Sequence, residues 1–296
     1  MMNTSVISNS EKIKIHPSCM TREIMKFLEP EKRKLIIDAT FGTGGHSRAI
    51  LEKTKGKLFA FEKDPFLYKR GKEIFEKFKN FKIFNESFTE IPDILKKENI
   101  KKIDGILFDF GISFYHISSS QRGFSFKSRE TLDMRYNPHK NEPLYIKIKK
   151  LSLKDIEFIL KEYGELKNYK KIAKNIFKGI REREIRFTTD FNEIILKGIK
   201  GKGEKILQKT YQAFRIWINN ELKNIETALF FLPDIMEKGG RAVFLSYHSL
   251  EDRMVKNFLK RRDFKALTKK PLTPEMDEIK QKPNCKACKL RAGEKL

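Results

Sequence analysis

A glycine-rich turn between an apolar run and a helical segment constrains the fold of this chain most. Residues 35–37 are apolar, residues 38–46 read Asp-Ala-Thr-Phe-Gly-Thr-Gly-Gly-His, and a helical pattern begins at Ser47. Glycines can adopt positive φ and let the backbone approach a ligand closely. The start of the following helix offers free N–H groups and a positive dipole end. This strand–turn–helix unit predicts a site for a nucleotide-like cofactor.

The acid after the next apolar run narrows the choice of cofactor. Glu62 follows the run 57–61, and an acid at this position commonly binds ribose hydroxyls. The glycines read G-x-G-G and lack the third glycine of the dinucleotide fingerprint, which argues against NAD. Asp38 would repel a pyrophosphate but attract a sulfonium and an amino group. The pattern favours S-adenosylmethionine, with a plain tight turn as the alternative.

Charge and composition indicate the kind of partner. Lys and Arg number 63 against 39 Asp and Glu, giving a net charge of +24. Such a basic chain favours a nucleic-acid partner, although a general bias toward lysine accounts for part of the excess. We expect no membrane span and, since residues 1–11 lack an apolar signal region, a cytoplasmic location.

The cysteines give a weaker indication. The chain has three cysteines, Cys19, Cys285 and Cys288, and so few are typical of a protein from a reducing compartment. The C-x-x-C of Cys285 and Cys288 lacks a second ligand pair, so we expect no metal site.

The order of the predicted elements indicates the fold class. Apolar runs at 35–39, 57–62, 81–84 and 103–110 alternate with helical patterns at 65–79 and 91–98. This alternation predicts an α/β fold with a parallel, doubly wound sheet.

The pattern changes after residue 113 and returns near 212. Residues 114–140 are loop-like and 151–200 carry helical stripes, whereas a helix from 212 to 231 and a strand at 241–246 resume the sheet pattern. We therefore expect a discontinuous domain of 1–113 and 212–296 around a loop and helical insertion at 114–211. The Lys/Pro-rich tail after 263 is expected to be poorly ordered or bound to a partner.

Polar residues at strand ends are the candidates for chemistry, because the carboxyl ends of parallel strands meet in one crevice. Asp109 ends the run 103–108, where a carboxylate could accept hydrogen bonds from an exocyclic amine and make it a better nucleophile; capping the next turn is its alternative role. His248 follows the strand 241–246 and is a candidate for contacting a base or relaying a proton. His46 contacts the cofactor or caps the turn.

A loop rich in arginines and aromatics follows the insertion point. Arg122 lies in the segment 121–126 and Arg135 in the segment 132–135. Aromatic rings can stack on bases and arginines can bind phosphates, so this loop is a candidate RNA contact. A packed lid with surface arginines is an equally good interpretation.

Several motifs in order resemble one family, the bacterial 16S ribosomal RNA cytosine-N4 methyltransferases of the RsmH or MraW family. The resemblance covers nearly the whole chain. Its motifs are His16 and the segments 38–47, 61–65, 104–109, 122–126, 132–135, 163–165, 212–216, 219–222, 246–253 and 289–291.

The resemblance implies S-adenosylmethionine-dependent N4-methylation of one cytidine in the decoding centre of the small ribosomal subunit. It also implies a Rossmann-like class I methyltransferase sheet with an inserted all-helical domain for RNA recognition. The implied cofactor contacts are Gly44, Gly45, His46, Glu62, Phe88, Asp109 and His116.

The chain departs from the family pattern at two of these cofactor contacts. Glu62 stands where the family usually has Asp, and His116 replaces a glutamine that contacts the cofactor.

The sequence thus predicts an enzyme in which Asp109 and His248 are catalytic, no metal takes part, and 16S rRNA in the small subunit is the substrate. A homodimer is left open. Two rival functions remain, a DNA amino-methyltransferase and a ribosome-assembly factor that keeps the fold without catalysis.

Overall fold

A seven-stranded sheet in the order β3-β2-β1-β4-β5-β7-β6 forms the centre of the molecule. The computed structural model describes residues 18–199 and 201–296, so His16 and the segment 1–11 lie outside the described residues. The strands are β1 (Leu35–Asp38), β2 (Lys57–Phe61), β3 (Phe81–Phe84), β4 (Ile103–Asp109), β5 (Met236–Ser246), β6 (Phe264–Ala266) and β7 (Lys289–Lys295).

The first five strands confirm the predicted doubly wound sheet. Strands β1 to β5 pair in parallel, with β1 at the centre between β2 and β4. The side chain of Asp104 fixes the start of β1 by accepting hydrogen bonds from the Lys34 and Leu35 backbone N–H groups at 2.8 and 2.9 Å. Because β1, β2 and β4 end together, the polar residues that follow them face one crevice.

The prediction of a poorly ordered tail after residue 263 is wrong. Strand β7 pairs antiparallel with β5 along residues 241–246, and β6 pairs with β7. Leu290 and Ala292 are fully buried, and Arg291 forms a two-pronged ion pair with Asp252. The lysines around β7 made the alternation of apolar and polar residues in this strand hard to recognise from the sequence.

Thirteen α-helices lie within the described residues. They are α1 (Thr21–Leu28), α2 (Gly45–Leu51), α3 (Pro65–Phe75), α4 (Ile91–Lys97), α5 (Phe114–Ser118), α6 (Leu144–Lys147), α7 (Leu153–Phe158), α8 (Tyr169–Glu182), α9 (Thr188–Leu196), α10 (Gly203–Ile218), α11 (Glu221–Ile235), α12 (Ser249–Phe258) and α13 (Met276–Gln281). Among these residues, no helix is long and apolar enough to span a membrane.

Apolar residues on the two faces of the sheet form separate cores. On one face the Phe108 ring stacks on Phe244 with the ring centroids 5.5 Å apart. On the other face α1 and α2 cover Ile36, Leu58 and Leu107. A strand buried on both faces reads as a continuous apolar run, which is why these strands were recognisable in the sequence.

A third core belongs to the helices between residues 132 and 218. The predicted insertion boundary between 211 and 212 falls inside α10, and the predicted single helix 212–231 is wrong, because the chain turns between α10 and α11. Asn219 ends α10 and Asn220 has a φ of 51°. The Asn219 amide group donates to the Met134 carbonyl at 2.7 Å, so this turn is tied to the loop before the helices.

Two of the three cysteines are joined. Cys19 and Cys285 form a disulfide with their Cα atoms 5.6 Å apart, whereas Cys288 is free and buried. The interpretation of the cysteines as typical of a reducing compartment did not foresee this pair. The C-x-x-C spacing is therefore not used as a ligand pair, because Cys285 bonds to the other end of the chain.

Two leucines in the C-terminal segment test whether it is part of the core. Leu290 is fully buried, whereas Leu296 is 51% exposed. We expect Leu290→Ala to lower the free energy of unfolding by about 3 kcal/mol because it leaves a cavity, and Leu296→Ala by less than about 0.5 kcal/mol. Urea denaturation of both variants measures the difference. Equal, negligible effects would show that the segment is not packed.

Candidate active site

The carboxylate of Asp38 holds the glycine-rich turn together. One oxygen accepts from the Thr40 backbone N–H at 3.1 Å and the other from the Ser47 hydroxyl at 2.7 Å. Asp38 is fully buried, and burial raises its pKa. Asp38 is not among the residues lining the adjacent cavity. Asp38 thus shapes the turn, and Glu62 and Asp109 are the strand-end acids at the cavity, while an attraction between Asp38 and a bound sulfonium stays a prediction.

Gly44 gives the turn its shape from behind the cavity wall. Its φ is +86°, and a Cβ there would lie 2.7 Å from the rings of Phe41 and Phe75. Gly42 and Gly45 line the cavity, whereas Gly44 does not. The turn thus presents its backbone to the cavity at Gly42 and Gly45, and packs against the rings of Phe41 and Phe75 at Gly44.

A cavity of about 940 Å³ lies at the carboxyl end of the sheet. Its wall includes five of the predicted cofactor contacts besides Gly45: His46, Glu62, Phe88, Asp109 and His116. Phe88 stands edge-on to Phe108 with the ring centroids 5.7 Å apart, which fixes an apolar wall beside the acids. An apolar wall with a few convergent polar groups is typical of a small-molecule site.

Glu62 is held by two backbone donors. Its carboxylate accepts from Gly42 N–H and Asp64 N–H, each at 2.8 Å. Burial is the largest influence on this group and raises the pKa of Glu62 to about 8. The lone pairs left on the carboxylate can accept hydroxyl donors, so the site fits a ribose.

Asp109 lies beside the glycine turn and lines the cavity. Its backbone N–H donates to the Thr40 hydroxyl at 2.6 Å, and its Oδ1 accepts from Gly111 N–H at 3.0 Å. Oδ2 lies 3.3 Å from His46 Nε2, and the Tyr247 hydroxyl also bonds to this carboxylate. Oδ1 thus caps the next turn, which is the alternative role predicted for Asp109. The side chain remains 21% exposed, so it can still meet a ligand.

His116 lies in a buried polar cluster with Asp64. Its Nε2 is 2.9 Å from Asp64 Oδ2, and Asp64 also caps α3 by accepting from Phe66 N–H at 2.8 Å. Burial lowers the pKa of His116 to about 4, despite the opposing effect of Asp64. The imidazole is therefore neutral near pH 7. Because Asp64 is an acceptor, Nε2 carries the proton and Nδ1 is left as an acceptor.

The two loop arginines are held by the protein. Arg122 forms an ion pair with Asp64 and donates to the Arg135 and Tyr136 carbonyls at 3.0 and 2.8 Å. Arg135 pairs with Asp133 at 2.6 Å. Neither arginine lines the cavity. This geometry matches the packed-lid interpretation, and their role as RNA contacts stays a prediction.

His248 caps a helix behind the cavity wall. It is the N-cap of α12, where its Nδ1 accepts from Glu251 N–H at 3.4 Å, and its Nε2 lies 3.0 Å from Glu251 Oε1. Tyr247 and Glu251 line the cavity, whereas His248 does not. Its predicted catalytic role is untested, and the structure assigns it a helix-capping contact.

The sequence reasoning missed a group of charged residues on the cavity wall, namely Lys63, Arg215, Glu221 and Glu251. Arg215 and Glu221 form a two-pronged pair at 3.0 and 3.1 Å, and the Lys63 ammonium lies 4.0 Å from the centre of the Tyr136 ring. These residues and Glu251 line the cavity. Their positions in the motifs at 61–65, 212–216, 219–222 and 246–253 were the only signal that could have found most of them.

The ligand atoms of Glu221, His248 and Glu251 lie within 4.8 Å of one another and could hold a metal ion. Arg215 already neutralises Glu221, however, and His248 faces Glu251. The charges are thus compensated without an ion, and a metal-free reaction stays a prediction.

The parallel sheet, the glycine turn and the acids at two strand ends together define a Rossmann-like nucleotide-cofactor enzyme. Comparison with known proteins narrows the class. The model of the MraW methylase family matches residues 14–296. The chain therefore belongs to the MraW methylase family, whose members are S-adenosylmethionine-dependent methyltransferases.

Similar proteins cover almost the whole chain. The ribosomal RNA small subunit methyltransferase H of Caldicellulosiruptor saccharolyticus is 37% identical over 95% of this chain and 99% of its own length. The protein of the same name from Dictyoglomus thermophilum is also 37% identical, over 95% and 97%. Among solved structures, an rRNA methylase from Streptococcus thermophilus is 12% identical with a TM-score of 0.43, with 93% of each chain covered.

The raised pKa of Glu62 predicts pH-dependent cofactor affinity. In the free protein the carboxyl is protonated below its pKa of about 8, and the ionised form is the better acceptor for ribose hydroxyls. Affinity for S-adenosylhomocysteine should therefore rise between about pH 6 and pH 8, by at most about tenfold per unit, and level off above. Calorimetry measures this slope.

Glu62→Gln is the matched control, because an amide of the same shape does not titrate. It should remove the Glu62 contribution to the slope. Equal slopes in the wild type and the variant would contradict the assignment of ribose binding to this carboxyl.

The buried contacts of Arg122 predict a structural effect. Arg122→Ala leaves the Asp64 carboxylate without its guanidinium partner, so the free energy of unfolding should fall by about 3 kcal/mol. Lys127→Ala removes an exposed cation from the same loop and should change it by less than about 0.5 kcal/mol. Denaturant unfolding measures both. Wild-type stability of Arg122→Ala, with weaker RNA binding, would show that Arg122 acts only on RNA.

Proposed function

We propose that this enzyme transfers a methyl group from S-adenosylmethionine to N4 of one cytidine in the decoding centre of 16S rRNA, with the small ribosomal subunit as substrate. The observation that carries the proposal is the position of Asp109, which contacts the glycine turn through Thr40 and His46 and lines the same cavity as Arg215 and Glu221. The names of the relatives support rRNA of the small subunit as the substrate class.

The residues on one side of the cavity fit the cofactor. Glu62 has lone pairs for ribose hydroxyls, Phe88 supplies an apolar wall for an adenine, and Gly42 and Gly45 keep the turn open. Asp109 and His46 lie where a polar methionine part could be held. When bound, S-adenosylmethionine supplies an electrophilic methyl group. The remaining chemistry belongs to the protein and the base.

The base amine is the nucleophile, and Asp109 makes its nitrogen more nucleophilic. The lone pair of an exocyclic amine is delocalised into the ring, so a carboxylate that accepts an N–H hydrogen bond raises the electron density on nitrogen. As the N–C bond forms and the S–C bond breaks, positive charge develops on N4. The Asp109 carboxylate stabilises this charge and accepts the surplus proton.

The charged residues on the cavity wall fit the remaining polar groups of the base. Arg215 and Lys63 are hydrogen-bond donors, whereas Glu221 and Glu251 are acceptors. Cytosine presents acceptors at N3 and O2 beside its amine. Because Arg215 and Glu221 hold each other in place, they can form hydrogen bonds with this edge of the base at a small cost in side-chain conformational entropy.

The surface outside the cavity suits RNA. The helix α8 exposes Lys170, Lys174 and Lys178 on the side opposite its buried isoleucines, and the chain as a whole carries a net charge of +24. Lysines in such an arrangement bind phosphates without reading sequence.

We place the reaction in the cytoplasm. The residues of one chain line the cavity, so the proposed reaction does not require a dimer.

The role of Asp109 predicts a rate effect. Asp109→Ala removes the acceptor for the amine and should lower the single-turnover rate at saturating cofactor about 10²- to 10⁴-fold. Because Asp109 also lies beside the site for the methionine part, the affinity for S-adenosylhomocysteine is measured separately. The assay follows methyl transfer to small ribosomal subunits from cells lacking the protein, read by nucleoside mass spectrometry.

Asp93→Ala, an exposed acid on α4, is the matched control and should keep the wild-type rate. Wild-type rates for Asp109→Ala would refute the mechanism. Methylated DNA without methylated subunits would favour a DNA amino-methyltransferase, and cofactor binding to neither variant nor wild type would favour an assembly factor.

A further inference from the structure

The two ends of the described chain meet on the wall of the cavity. Ser18 and Cys19 line it from the N-terminal side and residues 281–287 from the C-terminal side, and Glu62 and Asp109 line the same cavity. The disulfide between Cys19 and Cys285 joins the two sides across 266 residues of sequence. The only covalent link between distant parts of the described chain is thus built into the wall of the site.

The C-terminal wall segment lies between two anchored stretches of chain, since Leu272 pairs with Leu290 through backbone hydrogen bonds at 3.0 and 2.9 Å. Residues 289–295 form β7 and are paired in the sheet. The preceding helix α13 buries none of its residues, and Met276 is 69% exposed. A segment with few buried apolar contacts opens at lower free-energy cost than the core. The wall segment 281–287 therefore depends on its contacts with the N-terminal side.

These contacts are the disulfide and a few polar bonds. The Lys282 ammonium donates to the Ser18 carbonyl at 2.7 Å, and Glu278 accepts from the Met20 backbone N–H at 2.9 Å. Such bonds exchange readily with water and each contributes little net stability. The disulfide is the one contact that cannot open without a chemical reaction.

We propose that Cys19 and Cys285 form a reversible redox latch, whose oxidation closes the wall segment 281–287 over the cavity and slows exchange of the cofactor. The proposal rests on the proposed function, since it takes the cavity as the cofactor site. In the oxidising direction the two thiols lose two protons and two electrons as the S–S bond forms, and these reduce hydrogen peroxide to two waters or an organic peroxide to one alcohol and one water. A dithiol reverses the step by thiol–disulfide exchange at the sulfur of Cys19, which is partly exposed, whereas Cys285 is buried.

The third cysteine is not part of the latch. Cys288 is fully buried, and its thiol bonds to the Tyr247 side chain. Burial raises the pKa of this thiol well above its usual value. Since the thiolate is the reactive form, Cys288 does not compete with Cys19 for Cys285. It serves as the matched control.

The test compares oxidised and reduced full-length protein. The dissociation rate of S-adenosylhomocysteine is measured by displacement, and amide hydrogen exchange of residues 276–288 is measured without ligand. Reduction should speed both, the dissociation rate by about tenfold or more. Cys19→Ser and Cys285→Ser should show the reduced behaviour under both conditions, whereas Cys288→Ala should keep the difference between them.

Three results would overturn the latch. These are equal exchange and equal dissociation rates in the oxidised and reduced protein, the absence of a Cys19–Cys285 peptide from the oxidised protein by mass spectrometry, and a redox difference that persists in Cys19→Ser. Redox-dependent amide exchange without any binding of S-adenosylhomocysteine would instead refute the cofactor assignment of the proposed function, and with it the effect of the latch on cofactor exchange.

Discussion

The pairing of β4 between β1 and β5 is the constraint on which the site depends. It brings the end of β4 beside the glycine turn that follows β1, where the Asp109 backbone N–H donates to the Thr40 hydroxyl at 2.6 Å. The turn in turn is held by the buried Asp38 carboxylate through Thr40 and Ser47. The Asp38 carboxylate, which shapes the turn, thus also helps to position Asp109, the acid that we propose accepts the base amine.

A second set of buried polar contacts joins the helical region to this sheet. Asp64, at the start of α3, binds both His116 and Arg122, and Arg122 reaches the carbonyls of the loop that leads to the helices. Asn219 binds the same loop from the end of α10. Buried charged groups are costly unless they are paired, so these contacts fix one arrangement of the loop. That arrangement places Tyr136 on the cavity wall.

Much of the fold was predictable because its strongest signals are local. Strands β1, β2 and β4 are buried on both faces along most of their length and read as apolar runs, and the glycine turn needs positive φ at Gly42 and Gly44. Strand β7 was missed because its neighbours in sequence are lysines and prolines. Its pairing partner, β5, lies more than forty residues away along the chain, and no local pattern encodes such a contact.

The site was predictable where a residue's task follows from its position at a strand end. Glu62 and Asp109 line the cavity as that reasoning expects. Asp38, Arg122 and His248 carry groups able to do chemistry, yet each is engaged by a structural partner. Asp64, the partner of Arg122, lies 58 residues away in sequence, whereas Ser47 and Glu251 are near Asp38 and His248 in sequence, and local patterns do not show whether such neighbours bond. Conversely, Lys63, Arg215 and Glu221 come from three separate segments, and their convergence depends on how the helices pack on the sheet.

A crystal structure with S-adenosylhomocysteine and cytidine bound together would test the central claim most directly. The account predicts the ribose of the cofactor at Glu62 and the cytosine amine within hydrogen-bond distance of the Asp109 carboxylate, with the ring facing Arg215 and Glu221. A cytosine bound elsewhere, or bound with its amine turned away from Asp109, would contradict it.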